Sequence, residues 1–356
     1  MKVLVVRADA GGSGFYRVNE PVRAVQELGL GNLEVEVTGE VEAMAGQNPD
    51  GSVEVARIMT DADVIVLQRP LRQQIHEVAK AAKRQEIALV VELDDDFETV
   101  SRHNAAWRHV NPRTSPLHNV DWLRKTLSLA DAITVSTGPL MKYADLTAGK
   151  LGYVVRNRMP ERVLDAVAAL PQPEHRLLGW TGTVFTHPFD LQQIQRATRA
   201  LVPEVSPRLV VVGQEEGVAA TAGVRPEEVE ATDWVPTVEG YLETVRTHIG
   251  VGVVPLEPGP FNEGKSFLKG LEYAVCGIPF VASNTAEYRL LEVCGAGRIA
   301  RRPNEWTKLL RGLLTDEDRY GRMAEDGLLA VRKDWILEDH AHEWVDAWMG
   351  AWKNAR

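Results

Sequence analysis

The 356-residue chain is 44% apolar and 25% charged, the balance of a globular protein long enough for two domains of ordinary size. Its net charge of −10 argues against a strong nonspecific grip on DNA or anionic lipid. No run of about eighteen apolar residues marks a transmembrane helix, and the two cysteines, Cys276 and Cys294, read as core thiols of a cytoplasmic protein.

Lys2–Val6 has the pattern of a short buried strand and too short an apolar run for a signal peptide. A glycine-rich turn with Gly12 and Gly14 follows, then a helix to about Leu28, the order of a Rossmann unit. Gly12-x-Gly14 lacks the third glycine of a dinucleotide fingerprint, and Arg17 stands in its place, a planar fork suited to phosphate. A weaker strand is expected at Leu33–Val37 and clear ones at Ala62–Gln68 and Ile87–Leu93, with an amphipathic helix Gln73–Gln85 between the last two. The strand Ile87–Leu93 delivers Asp94, Asp95 and Asp96 to its carboxyl end, where open α/β sheets bind ligands. Three adjacent carboxylates repel one another and call for a metal, hydroxyls or a nearby arginine. The polar loop His103–Asn119 lies within a basic stretch containing Arg102, Arg108, His109, Arg113, His118, Arg124 and Lys125. Leu123–Ala130 reads as a helix, Ala132–Ser136 as a strand, Leu140–Leu146 as a short helix and Gly152–Val155 as a strand.

A linker is expected at about Ala168–His175, and a second Rossmann-like unit begins at Arg176–Trp180. Hydroxyls and a small residue follow at Thr181-Gly182-Thr183, then His187 and Asp190. Arg208–Gly213 is a strand, and Ala231–Pro236 is another edge, with Trp234 read as a core residue before a stacking one. After the helix Glu239–Thr247 comes the most informative stretch. The strand Val251–Pro255 leads through a turn and a loop with Asn262, Lys265 and Ser266 into a helix Ser266–Cys276, capped by Ser266 and stopped by Gly277 and Pro279. The next strand is Pro279–Ala282. A strand, a polar turn and a helix N-terminus make an anion site, and Lys265 and Lys269 would oppose the helix dipole there unless an anion lay between them. The chain ends with a helix Asn284–Val293, a strand Gly297–Ala300 and helices at Asn304–Leu314, Asp316–Ala330 and Asp334–Trp352, with Trp335, Trp344, Trp348 and Trp352 as a packing stripe.

The run Lys265-Ser266…Leu268-Lys269…Leu271-Glu272-Tyr273-Ala274…Cys276-Gly277-Ile278-Pro279 resembles the donor motif of GT-B glycosyltransferases, particularly those like family 4. Gly14-Phe15-Tyr16-Arg17 and Gly179-Trp180…Gly182…His187-Pro188-Phe189-Asp190-Leu191 are similar to loops of phage and actinobacterial members. The resemblance implies an α/β fold of two Rossmann-like, doubly wound parallel-sheet domains facing a cleft: an acceptor domain at 1–170, a donor-nucleotide domain at 175–333, and a C-terminal helix, 334–356, crossing back to the first domain. In that family the first Glu of a Glu-x7-Glu pair contacts the donor sugar and the second the ribose. Glu272 matches the second, whereas the first falls on Gly264, with Glu263 beside it.

The implied function is transfer of a sugar from a nucleotide-diphosphate donor to an acceptor hydroxyl, retaining and metal-independent, without a cofactor beyond the donor. Gly12, Gly14, Arg17, Thr181, Gly182, Thr183, Gly213, Val235, Asn262, Lys265, Ser266 and Glu272 are expected at the nucleotide and diphosphate. His187, Glu263 and Gly264 are expected at the donor sugar, and one of Asp94, Asp95 and Asp96 at the acceptor hydroxyl. Two other readings remain open: a metal-dependent transferase using Asp94 and Asp96, and a sugar-nucleotide-binding or assembly protein without turnover. The acceptor is expected to be a virion protein, a modified DNA base or a glycan, met in the host cytoplasm if the chain is phage-encoded.

Overall fold

A computed structural model describes residues 1–49, 51–145, 150–171, 177–233 and 235–356. Trp234 and half of the expected linker, residues 172–175, lie outside the described residues. The strands are β1 (Lys2–Val6), β2 (Glu34–Thr38), β3 (Ala43–Gln47), β4 (Val53–Ile58), β5 (Val64–Gln68), β6 (Ala88–Leu93), β7 (Ala132–Val135), β8 (Leu151–Val154), β9 (Leu178–Gly182), β10 (Leu209–Gly213), β11 (Val229–Thr232), β12 (Val251–Val254), β13 (Phe280–Ser283) and β14 (Arg298–Ala300). They divide between two compact units, one of Met1–Arg158 with Leu337–Arg356, the other Met159–Ile336.

The first unit holds a parallel sheet in the order β2-β1-β5-β6-β7-β8. Its central strands are near-continuous apolar runs (VIVLQ, ALVVEL), as expected for strands covered on both faces. The helix Gln73–Arg84 packs on it, and the C-terminal helix His342–Asn354 inserts Trp344, Trp348 and Ala351 into the core formed by Val3, Val5, Val66 and Val90. The chain reverses between β1 and β5, a topological switch point. An antiparallel hairpin, β3 with β4, is added outside this sheet. The expected helix 334–352 is broken: Trp335 and Ile336 interrupt it, and Trp335 packs edge-on against Phe267 at 4.5 Å in the other unit's core. Only Trp344, Trp348 and Trp352 share the last helix.

The second unit repeats the design in the order β11-β10-β9-β12-β13-β14, which counted within the unit is the Rossmann order 3-2-1-4-5-6 with its switch point between β9 and β12. Trp180, Leu178, Val211, Val253 and Val281 form its centre, covered by the helices Gln195–Leu201 and Glu305–Thr315. The helix of the central motif spans Leu268–Val275. Phe267, not Ser266, occupies its N-cap, so the expected serine cap is corrected. Its other end is as the sequence requires. Gly277 adopts φ +63°, its amide donates to the Ala274 carbonyl and the Ile278 amide to Tyr273, the paired bonds of a Schellman stop. Among the described residues, no helix is long and apolar enough to cross a membrane.

Candidate functional site

At the carboxyl edge of the first sheet, the loops after β1, β5 and β6 meet through charge. Arg69 follows β5 in the left-handed region, φ +46°, a conformation uncommon for a side chain that large and a mark of local strain. From there its Nε donates to Asp94 Oδ1 at 2.5 Å, one Nη donates to Asp94 Oδ2, and the other to Asp9 Oδ2 at 3.0 Å. Ser13 Oγ also donates to Asp94, at 2.6 Å. Asp9 in turn accepts from the amides of Gly11 at 2.8 Å and Gly14 at 3.3 Å, closing the glycine turn, while Gly12 faces open space. Against the cost of its burial, Arg69 holds Asp94 down at about 2.

The three aspartates therefore separate in role. Asp96 is buried and accepts from Tyr143 Oη at 2.7 Å, Thr99 Oγ1 at 2.7 Å and Lys142, the work of a structural carboxylate. Asp94 and Asp95 are both half-buried, and Asp94 is engaged by Arg69. Arg17 departs from expectation. It is buried, its Nε donates to Glu92 at 2.7 Å, and Nη1 donates to Asn157 Oδ1 at 3.1 Å, so it serves the interior of the first unit. Burial pushes Glu92 up to about 7, with Arg17 opposing the rise.

The segment after Asp96 is an ordered lobe. Trp122 Nε1 donates to the Pro116 carbonyl at 2.8 Å, Thr114 Oγ1 to Arg108 O at 2.8 Å, and the Gln73 amide to Leu117 O at 2.9 Å. Arg124 is neutralised by Glu98 and Asp121. Arg102, Arg108 and Arg113 are exposed and, among the described residues, pair with no carboxylate.

At the carboxyl edge of the second sheet, Gly182 and Gly213 end neighbouring strands at φ +141° and +143°. A Cβ on Gly213 would overlap the Gly182 carbonyl oxygen, so both positions demand glycine. Thr183 Oγ1 donates to Gln214 Oε1 at 2.8 Å across the two turns. Lys269 comes from the first turn of the helix Leu268–Val275. Its Nζ lies 3.3 Å from where a Cβ on Gly182 would stand and 5.4 Å from the Trp180 ring centroid. Burial pulls this ammonium down to about 8, and Lys265 pulls the same way, against Asp190 and Glu272. Lys265 lies over the Phe261 ring at 4.4 Å, and its amide donates to the Asn262 carbonyl at 3.2 Å.

His187 Nδ1 meets Asp190 Oδ2 at 2.8 Å, and the other Asp190 oxygen accepts from the Glu257 amide at 2.8 Å and Asn262 Nδ2 at 3.1 Å. Burial, with Lys269 and Lys265 adding to it, pulls His187 down to about 4, so the ring is neutral and Nδ1–H is the donor to Asp190. Glu272 is buried and accepts from Tyr241 Oη at 3.0 Å. Gly264 is buried, Glu263 exposed and Ser266 half-buried just before the helix. Val235 lies against Gly240 at the start of the helix Val238–His248.

Thr181, Gly182, Thr183, His187 and Gly213 lie at or just after the carboxyl ends of β9 and β10, Asn262 and Lys265 in the segment after β12, and Glu272 within the helix that follows it. The sequence named neither Arg69 with Asp9 nor Asp190 as a hub. It also favoured Lys265 over Lys269, although a spacing of four residues in a helical stretch points to one face.

Solved structures similar to the chain span it almost entirely. A sucrose-phosphate synthase from Thermosynechococcus elongatus matches with TM-score 0.62 at 13% identity, over 97% of this chain and 98% of that one. HepE of Anabaena, solved in complex with UDP-glucose, matches with TM-score 0.62 at 14% identity, over 97% and 98%. An α,α-trehalose-phosphate synthase (UDP-forming) from Burkholderia vietnamiensis matches with TM-score 0.60 at 12% identity, over 99% of each. These are GT-B glycosyltransferases, and the fold of the chain is GT-B. No protein-family model matches the sequence, and no curated protein matches it significantly.

Proposed function

We propose that the chain is a glycosyltransferase that takes its sugar from a nucleoside-diphosphate donor bound at the carboxyl edge of the second unit. The observation that carries this reading is the Lys269 ammonium against the Gly182 turn, with Lys265 near enough to depress it. Two cations beside glycine turns suit the charge that develops on a departing diphosphate. Glu272, held by Tyr241, is assigned to the ribose hydroxyls, and the turns of Thr183 and Gly213 to the diphosphate and base. HepE, solved with UDP-glucose, supports a sugar nucleotide as the class of donor.

The reaction is proposed to retain configuration and to proceed without a metal. Arg69 and Lys142 already neutralise Asp94 and Asp96, which weighs against an Asp-x-Asp metal site. A carboxylate held at about 2 is also a poor proton acceptor at neutral pH, so Asp94 is assigned to fixing Arg69, and Asp95 to the acceptor hydroxyl. The exposed Arg102, Arg108 and Arg113 on the lobe after Asp96 favour an acceptor that carries negative charge.

A sugar-nucleotide-binding protein without turnover is the second reading, favoured by Gly264 at the position of the sugar-contacting Glu. Release of nucleoside diphosphate from UDP-, GDP-, ADP- and dTDP-glucose, followed over hours with a coupled assay, separates the two. The transferase account expects slow release from one donor, by hydrolysis in the absence of acceptor. Tight binding with no release in the presence of phosphorylated, nucleic-acid and neutral-glycan acceptors would leave the second reading.

A further inference from the structure

Asp190 is buried, and its two oxygens serve different parts of the second unit. Oδ2 takes the His187 Nδ1 proton at 2.8 Å. Oδ1 takes the Glu257 amide at 2.8 Å and the Asn262 side chain at 3.1 Å, and Asn262 also donates to the Glu257 carbonyl at 3.0 Å. One carboxylate thus joins the loop after β9 to the turn after β12, the two sides of the switch point. The turn it holds leads within three residues to Lys265. The charged and titratable groups facing His187 are Asp190 on its own loop and Lys265 and Lys269 from the central motif, with the Trp180 ring edge-on at 6.3 Å.

A hydrogen bond at one imidazole nitrogen decides what the other can do. With Nδ1–H committed to Asp190, Nε2 carries a lone pair and no proton. It makes no hydrogen bond among the described residues. An acceptor nitrogen on a ring fixed by a buried carboxylate is matched to a hydroxyl, not to a phosphate oxygen.

We propose that Asp190 is a positioning residue that locks His187 in the Nδ1–H tautomer, so that Nε2 accepts a hydrogen bond from a hydroxyl of the donor sugar. This rests on the donor-site reading above. It makes His187 a selector for the sugar, separate from the lysines that meet the diphosphate, and it supplies a polar sugar contact on a chain that has Gly264 where the family has Glu.

Asp190→Asn is the direct variant. Its amide oxygen still accepts from Glu257 and Asn262, but its NH₂ now donates to Nδ1 and forces the proton to Nε2, turning the acceptor into a donor. A carboxylate-to-amide change that inverts a tautomer costs up to about 10⁴-fold in kcat in the serine protease triad. Here, with an orienting contact at stake, the expected loss in kcat/KM is about 10²-fold, with the affinity for free nucleoside diphosphate kept within about threefold. In a His187→Ala background the same change is expected to add nothing, because both substitutions remove one shared contact. Nitrogen-15 NMR of histidine in the unmutated protein, assigned with His187→Ala, is expected to show Nδ1 protonated and Nε2 unprotonated at pH 7. This reading does not depend on the folding of Asp190→Asn.

An Nε2–H tautomer in the unmutated protein overturns the proposal. So does transfer by Asp190→Asn at the unmutated rate, or a full additional loss in the His187→Ala background. Failure of the donor reading looks different: the unmutated protein then binds no nucleotide at all.

Discussion

Lys269→Met is expected to lower kcat/KM for the sugar nucleotide by about 10²–10³-fold, the cost of removing one donor aimed at developing negative charge. Methionine keeps most of the length and the apolar character of the stem, so the change removes charge more than packing. Since the lysine gives up hydration where it stands, the variant is expected to be at least as stable as the parent. The pH dependence adds a sign. The free ammonium is held near 8, and a bound diphosphate raises it, so binding takes up protons where the free group is partly neutral. Affinity is therefore full below that value and falls as pH rises through it. Calorimetry at pH 8 in buffers of different ionisation enthalpy should show uptake of roughly half a proton per nucleotide, absent in Lys269→Met. Uptake unchanged by the substitution would remove Lys269 from the site.

Arg17→Leu is expected to act on stability and to leave the donor site alone. Removing one partner of a buried ion pair strands the other and costs about 3–5 kcal/mol. Glu92 would be left buried, with only protonation as relief, since burial already pushes it up to about 7. Denaturant unfolding of the first unit should register the loss, and the double change Arg17→Leu with Glu92→Leu should recover most of it. Nucleotide affinity measured under native conditions should stay within about twofold, because the affected residues belong to the other unit. A drop in nucleotide affinity with stability intact would reinstate Arg17 as the phosphate fork that its place after the glycine turn suggested.

That misplacement shows where sequence stops. The buried parallel strands were legible to within a residue or two, because strands covered on both faces must be unbroken apolar runs and cannot be mistaken for loops. The hairpin was not legible. β3 reads AMAGQ with most of its residues exposed, and a strand held mainly by backbone bonds leaves little pattern. The Gly277 stop was readable from local chemistry, whereas the Ser266 cap lost to Phe267, which is buried and fixes where the helix can begin.

In the site, residues close in sequence were found and those joined by tertiary contact were missed. Arg69 reaches Asp9 across 60 positions and Asp94 across 25, and Glu257 reaches Asp190 across 67. No spacing rule announces such pairs. Only the strand order, which brings successive carboxyl ends to one edge, makes them neighbours. Arg69 carried no signal at all in the sequence beyond its place before Pro70, and its left-handed backbone is visible only in the structure.

The central claim is that the second unit holds a nucleoside diphosphate. Thermal unfolding with UDP, GDP, ADP and dTDP, each with and without EDTA, tests it most directly. A ligand that binds only the native state adds RT ln(1 + [L]/Kd), about 2.7 kcal/mol at a hundredfold excess. The account predicts that one nucleotide raises the unfolding temperature, that EDTA leaves the shift unchanged, and that Lys269→Met abolishes it. No shift with any of the four nucleotides would contradict it.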